Sequence, residues 1–428
     1  MRSLTKKVLV LIVAGGLAIG ALEVGASRVY ARYKHRPFDR AEVTSRLLGA
    51  AAAEADPATP SPMVDDPRVA DQPVIIHPYF GYVANPGKIS NVNQYGFFGP
   101  VPFATRGPDV VLVAVLGGSV AGQLVKAGGD VLRHQLAAEG GFRGRRIEVI
   151  NLALGGYKQP QQLLVLATLL ALGAQFDVVV NLDGFNEIDG AKDNQQDGVN
   201  PFYPYTWNLH ARQVLDSDAA VHIAKADAIR SRRDVLRGWF ARWPVAHSIF
   251  LLTLWDVLDQ RQEAALRAET GALRDAVAAQ GLTLQQSGPP VSFADEESMY
   301  VEYGEVWARA SLEMAQLCAG FGIRYYHFLQ PNQYLPGSKT LTDEERAVAF
   351  DPDVAETQRV EIAYPLLTAR GRELRAQGVR FNDLTMLFRD ERRSVYGDTC
   401  CHLNRLGNEL MAAEIARTVG EDRGDGGM

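Results

Sequence analysis

The chain has 428 residues, of which 47% are hydrophobic and 22% are charged, so it can bury a large core and full-length disorder is excluded. Its formal net charge of −6 provides no general basic surface, and we therefore expect no nucleic-acid partner. Three cysteines, Cys318, Cys400 and Cys401, are too few for a disulfide framework. We expect them to be reduced and structural, rather than redox-active or metal-binding.

The N-terminus predicts export or membrane anchoring. Arg2, Lys6 and Lys7 precede an apolar run from Val8 to Leu22. Extended to Ala26, this run has 19 residues, which is long enough to span a bilayer. Small residues at its end also suit a signal peptidase, and basic residues follow it as well as precede it. An uncleaved anchor and a cleaved signal peptide are therefore both open.

The remaining chain predicts one large folded domain after a linker. We assign the N-terminal anchor or signal segment to residues 1–27, the linker to 28–73, the folded domain to 74–420 and a disordered tail to 421–428. The linker is indicated by the stretch Ala50–Pro62, which is rich in Ala, Pro and Asp.

Within the predicted domain, short apolar runs bounded by Gly, Pro or Asp alternate with longer helical patterns. This alternation indicates a mostly parallel β-sheet with helices on both faces. The predicted strands are Val110–Leu116, Ile147–Leu152, Phe176–Leu182 and Gly322–Leu329. The predicted helices are Val120–Ala138, Leu163–Leu172 and Leu406–Val419. The third strand is so rich in Val that we place it at the centre of the sheet.

A long insert, about residues 190–303, separates the third and fourth predicted strands and exceeds a simple crossover. Asp227–Trp243 and Asp259–Gln280 have helical spacing, and tryptophans lie close together there. One interpretation is a helical subdomain with its own small core. The other is a lid or lipid-facing flap, in which the arginines between Arg230 and Arg242 contact anionic lipid headgroups and the tryptophans lie at the interface.

Three short segments follow the first three predicted strands at the points where those strands end. They are Gly117-Gly118-Ser119, Gly155-Gly156-Tyr157 and Gly184-Phe185-Asn186. Because the carboxyl ends of parallel strands share one edge of a sheet, we expect these segments to meet there. Ser119 would stand on a tight turn at a helix N-terminus, where the free amides favour negative charge.

Two of these segments offer hydrogen-bond donors to such a charge. The Gly156 N–H and the Asn186 side-chain amide are neutral donors suited to an oxyanion. Each segment also has a purely structural interpretation, as a helix N-cap at Ser119, a turn glycine at Gly156 or an Asx turn at Asn186.

A fourth segment, Asp398 to His402, precedes the last predicted helix. A neutral imidazole can take a serine proton near neutral pH, and a carboxylate can orient that imidazole. Cys400, Cys401 and His402 are consecutive, whereas zinc sites generally use spaced ligand pairs, so we expect no metal here.

In chain order, the four segments resemble the four consensus blocks of the SGNH/GDSL hydrolase family, over roughly Val110 to Thr418. Other stretches look like a membrane-anchored bacterial branch of that family, namely His77–Tyr82, Asn93–Phe98, Asp183–Ile188 and His327–Tyr334. The resemblance implies a three-layer α/β/α flavodoxin-like fold with a mostly parallel sheet and a helical insert. It also implies a serine esterase or acyl-group transferase that uses no metal or organic cofactor.

Carried over by position, the resemblance makes Ser119 the nucleophile and His402 the general base. The implied oxyanion hole consists of Ser119 N–H, Gly156 N–H and the Asn186 amide, with supporting turns at Gly117, Gly118 and Gly184. Two positions depart from the family pattern. Gly118 stands where Asp is commonest, and the usual acid position, three residues before the histidine, is Thr399. Asp398, four residues before, can complete a triad, or a Ser-His dyad operates with a backbone carbonyl orienting the imidazole.

The resemblance implies an ester, or an acylated carbohydrate or lipid, as substrate, and membrane contact through the N-terminal segment. The catalytic domain would face the extracytoplasmic side of a bacterial inner membrane, or be secreted after signal cleavage. Water or an envelope-polysaccharide hydroxyl would accept the acyl group. A non-catalytic envelope binding or assembly protein with the same fold is the alternative, favoured if His402 lay beyond reach of Ser119.

Overall fold

A computed structural model of the protein describes residues 20–34, 37–40, 43–44, 47, 74–138, 140–215, 217–242, 247–280, 282–352 and 354–421. Most of the predicted anchor and linker, Trp243 and residues 422–428 of the predicted tail lie outside the described residues. The chain forms two compact units. We call them the sheet unit (Gln72–Arg212 and Leu282–Met428) and the helical unit (Met1–Asp71 and Gln213–Gly281).

The sheet unit is built on a parallel β-sheet. Its strands are β3 (Val110–Gly117), β4 (Arg146–Asn151), β5 (Val178–Asp183), β6 (Arg324–Leu329) and β7 (Arg380–Asp383), after a separate antiparallel hairpin of β1 (Val74–His77) and β2 (Gly81–Ala84). The spatial order is β4-β3-β5-β6-β7, and every neighbouring pair is parallel. Numbered among themselves, the five strands have the flavodoxin-like order 2-1-3-4-5.

Helices cover both faces of this sheet. Apart from the helical residues 20–34, the named helices in chain order are α1 (Ser119–Ala138), α2 (Gln161–Ala171), α3 (Phe185–Gln196), α4 (Trp207–Leu215), α5 (Ser217–Phe240), α6 (Ile249–Gln280), α7 (Leu284–Ser287), α8 (Glu296–Gly320), α9 (Asp343–Val348), α10 (Ala355–Ala376) and α11 (Arg405–Glu421). Of these, α5 and α6 belong to the helical unit. Helix α1 packs against α11 on one side, whereas α8 packs against α2 and α10 on the other. The predicted three-layer α/β/α fold is confirmed.

The apolar runs of the sequence become strands because both faces of the sheet are covered. All six residues of β5 are buried, and β5 lies between β3 and β6, as its run of valines predicts. The four predicted strands are confirmed with ends within about two residues. Strand β7 was not predicted, because its sequence, Arg-Phe-Asn-Asp, has one apolar residue and no run to recognise.

The helical unit has a small apolar core of its own. Residues 20–34 are helical, and α5 packs against α6. Among the described residues, this core contains the buried side chains of Tyr30, Val43, Leu47, Phe240, Leu252 and Trp255. The first part of the predicted linker is therefore helical and packed, because Tyr30, Val43 and Leu47 bury their side chains against apolar residues of α5 and α6. Among the described residues, no helix is both long and apolar enough to cross a membrane.

Candidate active site

Ser119 is the first residue of α1 and follows the sharp turn that ends β3. The turn needs a glycine at position 117, since its φ is +142° and an added Cβ would lie 2.0 Å from the Leu182 carbonyl oxygen. Because Ser119 begins the helix, the free N–H groups of the first turn surround it. These amides favour negative charge at this point.

The structure brings Ser119, His402 and Asp398 into one hydrogen-bonded chain. His402 Nε2 lies 2.8 Å from Ser119 Oγ, and His402 Nδ1 lies 2.5 Å from Asp398 Oδ2. With Nδ1 donating to the carboxylate, Nε2 is the acceptor that the serine hydroxyl requires. The fourth sequence segment therefore meets the first across 283 positions of sequence.

The loop around Asp398 accommodates the unusual four-residue spacing. Asp398 Oδ1 accepts hydrogen bonds from the N–H groups of Cys400, at 3.0 Å, and His402, at 3.2 Å. The loop is closed at its base by the Gly397 N–H, which donates to the His402 carbonyl at 2.8 Å. The extra residue thus folds into the loop, and the second carboxylate oxygen stays free to face the imidazole.

Asp398 is held as a carboxylate. Burial raises its pKa, but the hydrogen bond from His402 and the backbone donors of Cys400 and His402 outweigh burial, so the pKa lies below the ordinary value. An ionised Asp398 can stabilise the imidazolium that forms when His402 takes a proton.

Two residues of the stretch His327–Tyr334, to which the sequence assigned no role in the site, position this loop. Gln333 Nε2 donates to the Asp398 carbonyl at 3.0 Å, and Tyr334 Oη donates to the Thr399 carbonyl at 2.6 Å. Both follow the end of β6, at the edge of the sheet where the other site segments lie. Their position after a parallel strand was the available signal.

Asn186, at the start of α3, has one amide hydrogen committed and one available. Its Nδ2 donates to the Tyr157 carbonyl at 3.0 Å, and a primary amide has a second N–H. The amide also fills the space beside Gly118, where an added Cβ would lie 2.1 Å from Nδ2. Glycine at 118, the first departure from the family pattern, is therefore what this placement of Asn186 requires.

Gly156 follows β4 and is buried beside Tyr82 and Tyr205. In the described part of the chain its N–H donates to no backbone carbonyl or side chain. Tyr82 Oη donates to the neighbouring Gly155 carbonyl at 3.0 Å, which ties this turn to β2. The turn is thus held by Tyr82, and the N–H of Gly156 remains available as a donor.

Lys158 secures the other end of the same turn. The fully buried Nζ donates to the Pro201 carbonyl and to Tyr303 Oη, at 3.2 Å from the latter. Burial lowers the pKa of Lys158 to about 7, against the opposing influence of Glu187. No local sequence pattern marks this lysine, because its burial depends on the segment around Pro201 and on α8.

Further along α3, Asp189 and Asp193 share one cation. Arg359 of α10 lies 2.5 Å from Asp189 Oδ1 and 2.7 Å from Asp193 Oδ1. Burial raises the pKa of Asp189 to about 7, Asp193 adds to this, and Arg359 opposes it. This pairing joins α10 to the helix that begins with the Asn186 segment.

A second Ser-His-Asp chain lies within the core of the sheet unit. Ser311 Oγ is 2.7 Å from His327 Nδ1, and His327 Nε2 is 2.8 Å from Asp183 Oδ1. Ser311 and His327 are completely buried, so no substrate can reach them. Ser119, His402 and Asp398 are only half-buried, so accessibility, and not residue type alone, distinguishes their hydrogen-bonded chain.

Cys400, Cys401 and His402 offer potential ligand atoms within 4.8 Å of one another. Both ring nitrogens of His402 already contact Ser119 or Asp398, so a metal would have to displace one of them. The arrangement of His402 is suited to proton transfer.

A surface groove of about 670 Å³ lies elsewhere on the sheet unit, lined by Gln135, Ala138, Leu387, Phe388, Asp390, Glu391, Leu410, Ala413, Glu414 and Arg417. None of the residues of the Ser119 chain lines it.

No protein-family model matches the sequence, and no curated protein matches it. Among solved structures, the chain is similar to the lipase Lip_vut3 from a goat rumen metagenome, with a TM-score of 0.28 and 10% sequence identity. The alignment covers 72% of this chain and 97% of the lipase chain. At this TM-score we draw no conclusion from the similarity.

Proposed function

We propose that the protein is a serine hydrolase or acyl-group transferase of the SGNH/GDSL type, acting on ester bonds through an acyl-enzyme at Ser119. The observation that carries the proposal is the hydrogen-bonded chain from Ser119 through His402 to Asp398, with contacts of 2.8 and 2.5 Å. Nucleophile, base and acid therefore have the mutual geometry that acyl transfer needs.

In the proposed reaction, Ser119 Oγ attacks the ester carbonyl carbon as its proton passes to His402 Nε2. The imidazolium, stabilised by ionised Asp398, then gives the proton to the departing alkoxide and leaves an acyl-enzyme. Water or another hydroxyl, deprotonated by His402, attacks the acyl carbon and restores Ser119.

The tetrahedral intermediate would be stabilised by three donors at the ends of adjacent parallel strands. These are the N–H groups of Ser119 and Gly156 and the second N–H of Asn186. Removing one such donor typically lowers turnover by about 10² to 10³.

The acyl acceptor decides between hydrolysis and transfer. Water makes the protein an esterase, whereas a polysaccharide hydroxyl makes it an O-acyltransferase, and an acetylated polysaccharide as donor makes it a deacetylase. Turnover of an activated acyl ester with and without an envelope oligosaccharide separates the first two outcomes, and release of acetate from an acetylated polysaccharide identifies the third. Acylated oligosaccharide in the mass spectrum identifies transfer, and free acid alone identifies hydrolysis.

A Ser–His contact also occurs without catalysis in the buried Ser311–His327 pair, but Ser119 and His402 are only half-buried and lie where the site segments meet at the strand ends. The 2.8 Å contact between Ser119 and His402 favours catalysis over a non-catalytic binding or assembly role.

A fluorophosphonate probe tests the nucleophile directly. We expect it to label Ser119, with labelling lost in Ser119→Ala and retained in Ser311→Ala, which alters the buried serine. Ester hydrolysis should fall by roughly 10⁶ in Ser119→Ala. Folded wild-type protein that the probe fails to label would refute the proposal.

We further propose an N-terminal anchor in the bacterial inner membrane, with secretion after signal cleavage as the alternative. The basic residues before the apolar run Val8–Leu22 support this. Cell fractionation and the N-terminal sequence of the mature protein test it: retention in carbonate-washed membranes with an uncleaved terminus is expected.

A further inference from the structure

Two adjacent thiols lie within the loop from Asp398 to His402, which we call the acid-base loop. The Sγ atoms of Cys400 and Cys401 are 3.3 Å apart, and both cysteines are free. Cys400 is half-buried and Cys401 is buried, whereas the third cysteine, Cys318, is buried within α8. The sequence favours a structural role for all three, but the close approach of two sulfurs gives this pair a chemistry that Cys318 lacks.

We propose that Cys400 and Cys401 are a modification site, a vicinal dithiol that reacts with a disulfide oxidant and closes to a Cys400–Cys401 disulfide. The effect of this closure on activity rests on the function proposed above, but the thiol chemistry itself does not.

The reaction is a thiol–disulfide exchange in two steps. The thiolate of Cys400 attacks one sulfur of the oxidant, forms a mixed disulfide and releases one thiol. Cys401 then loses its proton and attacks Cys400 Sγ, which releases the second thiol. Two electrons pass from the cysteine sulfurs to the oxidant, whose two sulfurs leave as thiols with the two protons.

Exposure decides which thiol reacts first. Cys400 is reachable from solvent, whereas Cys401 is buried. Burial, reinforced by the neighbouring Cys400, raises the pKa of the Cys401 thiol and keeps it protonated. Cys400 is therefore the attacking sulfur and Cys401 the resolving one.

Ring closure would disturb the acid-base loop. Adjacent Cα atoms are about 3.8 Å apart, less than the roughly 4.4 to 6.8 Å usual for a disulfide, so the peptide between the two cysteines must twist. The Cys400 N–H donates to Asp398, the Cys400 carbonyl accepts from Gln333 Nε2 at 3.4 Å, and His402 follows immediately. Oxidation therefore displaces both Asp398 and His402, the acid and the base that act on Ser119.

A displacement of about 1 Å at such a site lowers turnover on the order of 10²-fold. Because the bond forms across a strained span, a thiol reductant should open it readily. The export predicted from the N-terminus would place the pair where disulfide oxidants are present.

The test uses the reduced full-length protein incubated with oxidised glutathione. Free thiols are alkylated in denaturant before and after treatment, so that the buried Cys318 and Cys401 are also counted. The intact mass is then measured, and peptides are mapped without reduction. We expect two of the three cysteines to become resistant to alkylation, with a single peptide carrying a Cys400–Cys401 bond and lacking two hydrogen atoms. Three alkylated thiols, or a stable glutathione adduct without ring closure, would overturn the modification site.

Variants separate this chemistry from general oxidation damage. Cys400→Ala and Cys401→Ala cannot form the ring, whereas the matched control Cys318→Ala keeps the pair. In wild type and Cys318→Ala, esterase activity should fall about 10²-fold on oxidation and recover with dithiothreitol. In each of the other two variants, activity with and without oxidant should differ far less.

Thermal unfolding of each variant establishes that it is folded. A ring that forms without changing activity would overturn the proposed coupling to the acid-base loop. If no ester is turned over at all, the function proposed for Ser119 fails, and the thiol count still decides the fate of the modification site.

Discussion

Replacing Gly118 by Ala tests whether Asn186 is an oxyanion donor. The backbone at Gly118 is not left-handed, so alanine introduces a steric change without backbone strain. Its Cβ would lie 2.1 Å from Asn186 Nδ2, closer than such contacts allow, and Asn186 must shift by about 1 Å.

The expected loss follows from the role of one donor. If Asn186 leaves the oxyanion site, kcat should fall by about 10² to 10³, equivalent to roughly 2.7 to 4 kcal/mol of transition-state stabilisation. KM for a small ester should change little, because the donor acts on charge that develops only in the transition state.

The assay is steady-state hydrolysis of an activated acetyl ester by Gly118→Ala, Asn186→Ala and the double variant. Gly122→Ala is the matched control, since Gly122 lies in the first turns of α1 and an added Cβ meets nothing within 4 Å. This control should retain wild-type kcat and gain about 0.5 to 1 kcal/mol of stability, because alanine favours a helix.

The double variant gives the decisive comparison. If Gly118→Ala acts through Asn186, the double variant should be no slower than Asn186→Ala alone. Wild-type kcat in folded Gly118→Ala, or fully additive losses in the double variant, would refute the assignment of Asn186 as donor.

Three further outcomes are expected. Asp398→Asn should lower kcat by about 10⁴, and a kcat equal to that of wild type would mean that a Ser119–His402 dyad is sufficient. Because folding lowers the pKa of Asp398, the ionised carboxylate stabilises the folded protein at neutral pH, and this stabilisation should be lost as the pH falls below about 3.9. Arg359→Met should lower the free energy of unfolding, measured in urea, by about 3 kcal/mol at pH 8. The loss should be smaller at pH 5, because the pKa of Asp189 is about 7 and its carboxyl group is neutral there. Equal losses at both pH values would contradict this. Ser311→Ala should cost about 1 to 3 kcal/mol of stability with unchanged kcat, and a large fall in kcat would contradict its structural role.

The convergence of three site segments was predictable from sequence. Ser119, Gly156 and Asn186 each follow a strongly apolar strand, and parallel strands direct their carboxyl ends to one edge. The hydrogen bonds that hold the acid-base loop at that edge were not predictable. Gln333 and Tyr334 reach the acid-base loop over more than 60 positions of sequence, and no local pattern encodes that distance.

The sequence by itself determined the order of strands and helices, the α/β class and the candidates for nucleophile, donors and base, because periodicity and glycine turns are local properties. Tertiary structure decided three matters that depend on distance and access. It placed Asp398 against His402 despite the unusual spacing, because closure of their loop absorbs the extra residue. It explained glycine at position 118 by the Asn186 amide that fills its space, and it buried Ser311 while leaving Ser119 accessible.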